Sequence, residues 1–149
     1  MSLGGLDVSE LSDFSKDLIQ LATTTFPQES KKFMRTEGNK MRKEIVKTAK
    51  SKGIKKKTGN YLRGIKRGKV YKYDGDEIAV RVYHKNMDKN QQPHGHLIEY
   101  GHRVTDKAGN ELGFARGYHV YRDGSNKYKP TFHQNCEAFI DDMLDKGMS

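Results

Sequence analysis

The stretch His96-Leu97-Ile98-Glu99-Tyr100-Gly101 predicts a short buried element that turns sharply after Tyr100. Large apolar groups surround one carboxylate, and the closing glycine tolerates a positive φ that other residues avoid. The local pattern fits a helical turn and a short strand equally well. In either form, Gly101 marks the point where the backbone changes direction.

A second motif, Thr58-Gly59-Asn60-Tyr61-Leu62-Arg63-Gly64-Ile65, follows a lysine-rich helical pattern and precedes an alternating strand pattern. Thr58 can cap a single helical turn, because its hydroxyl can accept a backbone N–H. That turn would place Leu62 and Ile65, three residues apart, on one side of the element. We expect these two side chains to pack against a sheet.

The order of the patterns predicts an α+β fold. It has N-terminal helices, a small antiparallel β-sheet of three or four strands, and a C-terminal amphipathic helix packed on the sheet. We place one domain over 1–149, because this length suits a single core and no compositional linker divides it. Its parts are a helical region over 7–52, a sheet region over 58–122 and a helix over 130–147.

Proline sets two predicted helix boundaries. Phe26-Pro27 should separate a first helix from a second one that ends near Lys52, since the residue before proline avoids the helical region. Pro130 should precede the last helix, with Thr131 as its cap.

Glycine and polar runs set the turns between the strands. Asp74-Gly75 predicts a tight hairpin turn between Val70–Tyr73 and Glu77–His84. Residues 85–93 and 106–116 are predicted to be polar loops that become ordered on meeting a partner.

Composition limits the possible classes of protein. Hydrophobic residues make up 34% of the chain and the mean hydropathy is −0.93, which predicts a lean core. No apolar run approaches the roughly 20 residues of a membrane helix, and the acidic start does not resemble a signal peptide, so we expect a soluble chain with no membrane partner. Cys136 is the only cysteine, which leaves no internal disulfide and no thiolate metal cluster. We interpret it as a small core residue.

Positive charge is concentrated in the middle of the chain. Residues 31–72 carry 17 Lys and Arg against Glu37 and Glu44, whereas residues 1–30 have a net charge of −4. The two segments are suitable complements for contacts between subunits. The same positive charge suits a phosphate backbone. No helix-turn-helix, zinc-finger or RNP-type motif indicates sequence-specific binding.

Two enzymatic functions are alternatives to a non-catalytic one. A metal site could use His94, His96, Glu99 and His102, but only the first two have a suitable spacing, and Pro93 and Gly95 interrupt the strand that it needs. A small metal-free ribonuclease would combine basic and acid–base groups around Glu99. Its candidate residues are Lys43, Lys47, Arg63, Arg67, His84, His119 and His133.

The two motifs and their order resemble the tail-component family of long-tailed bacteriophages named after gene product ten of phage Hong Kong 97. Four residues match the family's TGxLxxSI-like element: Thr58, Gly59, Leu62 and Ile65. Four match its H-x-x-E-[FY]-G element: His96, Glu99, Tyr100 and Gly101. Gly64 stands where a serine is common, and Tyr61 is an extra residue before Leu62. The resemblance runs from about Phe33 to Leu144.

The resemblance implies a structural component at the head-to-tail junction or upper tail of a phage or prophage particle, acting in tail completion and head-to-tail joining. Such a protein needs no cofactor and no catalytic residue. Its expected partners are copies of itself, arranged as a ring with a hexamer expected, and the connector and tail proteins. It would be found in the host cytoplasm during assembly and then in the virion.

The motif residues are expected to serve folding and subunit packing, with Glu99 meeting an Arg or Lys of its own or a neighbouring chain. Non-specific contact with DNA in the channel, or with a protein partner, is a second expectation. Its candidate residues are Lys43, Lys47, Lys55, Lys56, Lys57 and Arg63.

Overall fold

The computed structural model describes residues 2–3, 6–7, 16, 21–54, 60–72, 77–85 and 95–148. Within them the chain is α+β, as predicted, with two long helices and short antiparallel strand pairs. A first pair joins β1, Ser2–Leu3, to β2, Leu6–Asp7. The predicted Asp74-Gly75 turn, the basic loop at 55–57 and most of the loop at 85–93 lie outside the described residues.

The first long helix is continuous through the predicted proline boundary. A π-helical turn over Leu21–Thr25 leads directly into α1, Phe26–Ser51, so the predicted break at Phe26-Pro27 is wrong. Pro27 is the second residue of α1, where its fixed φ suits the helical backbone. The far end of α1 was predicted correctly, because Gly53 adopts a φ of 84° just after it.

A short helix and a hairpin follow α1. The elements are α2, Asn60–Gly64; β3, Ile65–Arg67; β4, Tyr71–Lys72; β5, Ile78–Ala79; and β6, Val82–His84. The predicted hairpin is confirmed, since β3 pairs antiparallel with β6, and β4 with β5. The register moves by one residue between these pairs, and the Gly68 N–H donates to the Arg81 carbonyl between them at 2.8 Å. The hairpin therefore consists of two short ladders.

The 96–101 motif forms a helical turn and a corner. Helix α3 spans Gly95–Tyr100, and Gly101 starts β7, Gly101–Thr105, with a φ of 86°. This strand pairs antiparallel with β8, Glu111–Arg116. The predicted polar loop over 106–116 is therefore wrong in its second half. Nearly every residue of β8 is exposed, so the strand shows no alternation of buried and exposed positions.

The C-terminal helix, α4, spans Val120–Met148, so its predicted start after Pro130 is wrong. Proline removes a hydrogen bond to the carbonyl four residues earlier. That carbonyl belongs to Asn126, an exposed residue that water can reach. The turns before Pro130 are held by tertiary contacts, among them Lys52 Nζ with the Tyr118 carbonyl and the Asp123 carboxylate.

Helices α1 and α4 run antiparallel along their length. Gly124 meets Ile45 at one end, and the rings of Phe33 and Phe139 stack 4.4 Å apart towards the other. The core at the first end joins both helices to α2 and β3 through five buried residues: Ile45, Ala49, Leu62, Ile65 and Val120. Leu62 and Ile65 thus share one buried cluster, as the motif predicted.

At Gly124 the two helices lie so close together that we expect an unusual response to a Gly→Ala change. Alanine at an exposed helical glycine stabilises by about 1 kcal/mol. At Gly124, however, the new Cβ would lie 2.9 Å from Ile45 Cα, a backbone atom in the core. Overpacking of this kind costs about 1–3 kcal/mol, so we expect Gly124→Ala to lower the free energy of unfolding in urea.

The matched control is Gly147→Ala in the same helix. Its new Cβ would meet only side-chain atoms of Leu21, which can move. We expect stability to be kept or raised there. Equal stabilisation by the two substitutions would show that the helices do not approach closely at Gly124.

Candidate functional site

The two sequence motifs meet at the imidazole of His84. Tyr61 of the first motif stacks on this ring with centroids 4.7 Å apart, and Tyr121 of α4 meets it edge-on at 6.3 Å. The Tyr121 hydroxyl forms a hydrogen bond of 3.3 Å with His84 Nδ1. Glu99 of the second motif lines the same cleft as His84 and Tyr121.

Two glycines make the space for His84. A Cβ at Gly95 would lie 2.4 Å from His84 Cδ2, and one at Gly64 would lie 2.7 Å from His84 Cε1. At Gly64 it would also lie 2.5 Å from the Lys85 carbonyl oxygen. A larger side chain at position 64 would therefore clash with His84 and with the main chain.

Glu99 caps the start of α4. Its carboxylate accepts the Tyr121 N–H at 3.0 Å and the Arg122 N–H at 3.1 Å. These donors belong to the first turn of α4, whose N–H groups have no acceptor within the helix. The positive end of the helix dipole favours a carboxylate at this position. Among the described residues, Glu99 therefore binds backbone N–H groups, and a contact with an Arg or Lys of a neighbouring chain stays a prediction.

The main chain reinforces this cap. The carbonyls of Ile98 and Glu99 accept the N–H groups of Tyr118 and His119 at 2.7 and 3.1 Å. His119 adopts a φ of 51°, in the left-handed region that histidine enters more readily than most residues. Four hydrogen bonds thus join the motif turn to the start of α4.

Burial disfavours the charged forms of the rings at this site. It raises the pKa of Tyr61, and the nearby Glu99 charge raises it further. It also raises the pKa of Tyr121, with smaller contributions from Tyr61 and Glu99, while Arg42 acts in the opposite direction. Burial lowers the pKa of His84. The site is therefore a packed set of neutral rings beside one carboxylate, and Tyr121 is hydrogen-bonded to His84 within it.

The cleft at this site has a volume of about 430 Å³, and its lining includes His84, His96, Glu99 and Tyr121. His94, which the metal alternative needs, lies outside the described residues, while His96 and His102 are exposed. Over the described ranges, His, Cys, Asp and Glu side chains form no group of three that could hold a metal. Glu99 is already bound to the start of α4, so it cannot turn to a ligand without uncapping that helix.

The ribonuclease alternative brings His84 and Glu99 to one cleft, but with both groups engaged. His84 binds the Tyr121 hydroxyl, and both Glu99 oxygens accept backbone N–H groups. His133 lies on α4 beside Phe132. Arg67 donates to Asn39 of α1 at 2.7 Å.

The remaining predicted site residues fall into buried, exposed and undescribed groups. Leu62 and Ile65 are in the core, whereas Tyr100 is 70% exposed. Lys43, Lys47 and Arg63 are exposed. The others lie outside the described residues: Lys55, Lys56, Lys57, Thr58 and Gly59.

Lys43 and Arg63 do come together, in a shallow concavity of about 280 Å³. Its described lining is basic around an apolar floor: Arg42, Lys43, Lys50 and Arg63 around Val46 and Leu62. Arg42 is fixed there because its Nε donates to the Ile65 carbonyl at 2.6 Å.

A second buried carboxylate was missed by sequence reasoning. Glu37 is only 3% exposed, and it accepts hydrogen bonds from the Tyr128 hydroxyl and from Asn135 Nδ2 at 3.0 Å. It therefore joins the middle of α1 to α4. Its spacing was the available signal, because Glu37 lies four residues from both Phe33 and Met41 on the apolar side of α1.

The family model described as "Bacteriophage HK97-gp10, putative tail-component" matches residues 12–101. The match covers more than half of the chain and contains both motifs, together with Tyr61, His84 and Glu99. The chain belongs to the HK97-gp10 family of bacteriophage tail components. The resemblance seen in the motifs is thus confirmed.

No match is found among curated proteins or among solved structures. As for membranes, no helix in the described parts of the chain is both long and apolar enough to cross a bilayer.

The cap predicts that Glu99→Gln destabilises the fold. Glutamine keeps the size of the side chain, but its amide nitrogen cannot accept an N–H, so one donor at the start of α4 loses its partner. A buried unsatisfied donor costs about 1–3 kcal/mol. We expect this loss in urea unfolding, together with faster hydrogen exchange at the Tyr121 and Arg122 amides.

The control is His96→Gln, an exposed position in the same motif, where a change within about 0.5 kcal/mol is expected. Unchanged exchange at Tyr121 and Arg122 in Glu99→Gln would argue against the cap.

The His84 site predicts a pH dependence of stability. Because the pKa of His84 is lower in the folded chain than its ordinary value of 6.5, the unfolded chain binds the proton more readily. His84 therefore contributes stability fully above that value, and the contribution is lost as the pH falls below it. Asp123, whose pKa is lowered to about 2 by its hydrogen bond with Lys52, titrates well below this window.

We expect an NMR titration to place the His84 midpoint below 6.5. The free energy of unfolding should also fall as the solution is acidified from neutrality, and it should fall less in His84→Gln. A His84 midpoint at or above the ordinary value would show that the ring is not buried in this way.

Proposed function

We propose that this chain is a ring-forming structural component at the head-to-tail junction or upper tail of a phage or prophage particle. It completes the tail and joins it to the head, and it has no catalytic role. It assembles in the host cytoplasm and remains in the virion. The observation that carries this proposal is the family match over 12–101, which includes both motifs.

The chemistry of the motifs supports a structural role. Both oxygens of Glu99 hold the start of α4, and His84 is enclosed between two glycines and two tyrosine rings. These are groups fixed in place by packing and backbone hydrogen bonds. They serve to hold α2, α3 and α4 in one arrangement.

The proposed partners are further copies of this chain, in a ring of six, and the connector and tail proteins on either side of the ring. Identical subunits close into a ring through heterologous contacts, in which one patch meets a different patch of the next subunit. Half of the acidic segment over 1–30, which could serve as one such patch, lies outside the described residues.

We also propose non-specific contact with the DNA that passes through the ring. Lys43, Lys47 and Lys50 are exposed on α1, and the concavity around Lys43 and Arg63 is lined by four basic side chains. Such a surface attracts phosphates without reading bases, so its binding should weaken steeply with salt.

The test is the mass of the purified chain by light scattering over a range of concentration and salt, with and without duplex DNA. We expect one discrete oligomer that forms without DNA. DNA retention, meaning the fraction of the duplex DNA that is bound to the chain, should fall as the salt concentration rises. Lys43→Glu together with Lys47→Glu should reduce retention and leave the oligomer mass unchanged, whereas Lys127→Glu on α4 should leave both unchanged.

A mass of one subunit at every concentration would contradict the ring. Retention that is insensitive to salt and to the Lys43 and Lys47 substitutions would contradict the DNA contact. Cleavage of added RNA would favour the ribonuclease alternative.

A further inference from the structure

We propose that the β7–β8 hairpin of one subunit binds the C-terminal end of α4 of the next copy of this chain. This contact rests on the proposed ring, because it names the two surfaces that would join neighbouring subunits. The proposal rests on two exposed patches with complementary chemistry. One lies on the hairpin that precedes the N-terminal end of α4, and the other lies near the C-terminal end of α4.

The first surface, the hairpin patch, consists of Arg103, Leu112, Phe114 and Arg116. Arg103 lies directly opposite Phe114 in the ladder, so their side chains share one face. Arg116 is two residues beyond Phe114 and points to that face as well. Phe114 and Leu112 are 62% and 68% exposed. Two guanidinium groups thus flank a large exposed aromatic ring.

A hairpin of this kind needs a covering partner. Two strands alone are only marginally stable in water, and β7 and β8 pair with each other and with no other described strand. The side chains from His102 to Thr105 and from Glu111 to Phe114 are exposed. Large apolar groups on an uncovered strand pair are typical of interaction sites.

The second surface, the helix-end patch, consists of Glu137, Ile140, Asp141 and Leu144. Ile140 and Leu144 are four residues apart, so they lie one turn apart on the same side of α4. Both are 47% exposed. Glu137 precedes Ile140 by three residues and Asp141 precedes Leu144 by three, which places an acid beside each apolar group.

The two patches complement each other in both apolar surface and charge. Each offers two large apolar side chains, with two guanidinium groups on the hairpin and two carboxylates on the helix. Arg103 already approaches Glu111 at 4.0 Å, but both side chains are largely exposed, and such pairs contribute little. Arg103 can therefore exchange this partner for an acid of another subunit.

The patches cannot meet within one chain. The hairpin joins the N-terminal end of α4, and Ile140 lies 20 residues beyond Val120 along the helix, which is roughly 30 Å at 1.5 Å per residue. Strand β8 has six residues and spans only about 20 Å. Pairing must therefore be between copies, and because the patches differ it is directional, as a ring requires.

The test uses two charge-reversed chains that are expected to fold normally, because every altered side chain is exposed. The hairpin variant carries Arg103→Glu and Arg116→Glu, and the helix variant carries Glu137→Arg and Asp141→Arg. Each variant alone brings like charges together, so its self-association should weaken by at least about tenfold. Mixed together, the two variants present opposite charges at every contact, and the oligomer should return.

The matched control is Lys107→Glu at the tip of the hairpin, which changes the charge outside the patch and should not alter the oligomer mass. If the wild-type chain forms its oligomer and both variants do so equally well alone, the contact is wrong while the ring stands. Weakened variants that fail to recover on mixing would also overturn it. A wild-type chain that stays monomeric would contradict both the proposed ring and the proposed contact.

Cross-linking gives a second readout. In a Cys136→Ser background, Phe114→Cys combined with Leu144→Cys should give a ladder of covalent dimers, trimers and larger species under mild oxidation. Val104→Cys, on the opposite face of the hairpin, should give no ladder with Leu144→Cys. Equal ladders from both faces would count against the hairpin patch.

Discussion

The arrangement of this fold depends on one carboxylate that caps a helix from a distant part of the chain. Glu99 belongs to a turn of only six residues, yet it fixes where a helix of 29 residues begins. The first N–H groups of any helix need acceptors from elsewhere, and a buried carboxylate is the strongest acceptor that a side chain can offer. Because α4 runs back along α1, the position of its first turn sets the register of the whole helix pair.

Polar contacts fix the arrangement of the helices, which a larger apolar core would otherwise fix by packing. Five residues form the central cluster, and Glu37 and Glu99 are buried outside it. An apolar core tolerates some sliding, whereas a carboxylate without its donors costs several kcal/mol, so each acid selects one alignment of α1, α3 and α4. In a chain with 34% hydrophobic residues, specificity thus comes from hydrogen bonds as well as from packing.

Features with a local cause could be predicted from the sequence. The end of α1 at Gly53, the corner at Gly101 and the hairpin after α2 each follow from a glycine or an alternating pattern within a few residues. The α+β class follows from the order of these signals. The predictions went wrong where distant contacts outweighed the local signal, as at Pro130, which lies inside α4 although proline usually ends a helix.

In the candidate site, too, the sequence predicted the features with a local cause and missed the contacts between distant residues. The motifs identified Glu99 and the buried pair Leu62 and Ile65, but the partners of Glu99 are two backbone groups more than 20 residues away. No pattern of side chains in the sequence indicates that these backbone N–H groups are its partners. The contact of Tyr61, His84 and Tyr121 joins three separate elements, and the glycines that admit His84 read as ordinary loop residues. Three-dimensional structure was needed to connect them.

A cap made to backbone has a consequence for how the chain can change over time. Glu99 contacts peptide N–H groups, which every residue except proline provides, so the side chains at the start of α4 are free to diverge while the cap survives. A motif can then stay constant beside a helix whose sequence drifts. The family match ends at residue 101, before the β7–β8 hairpin and before the helix that the motif holds in place.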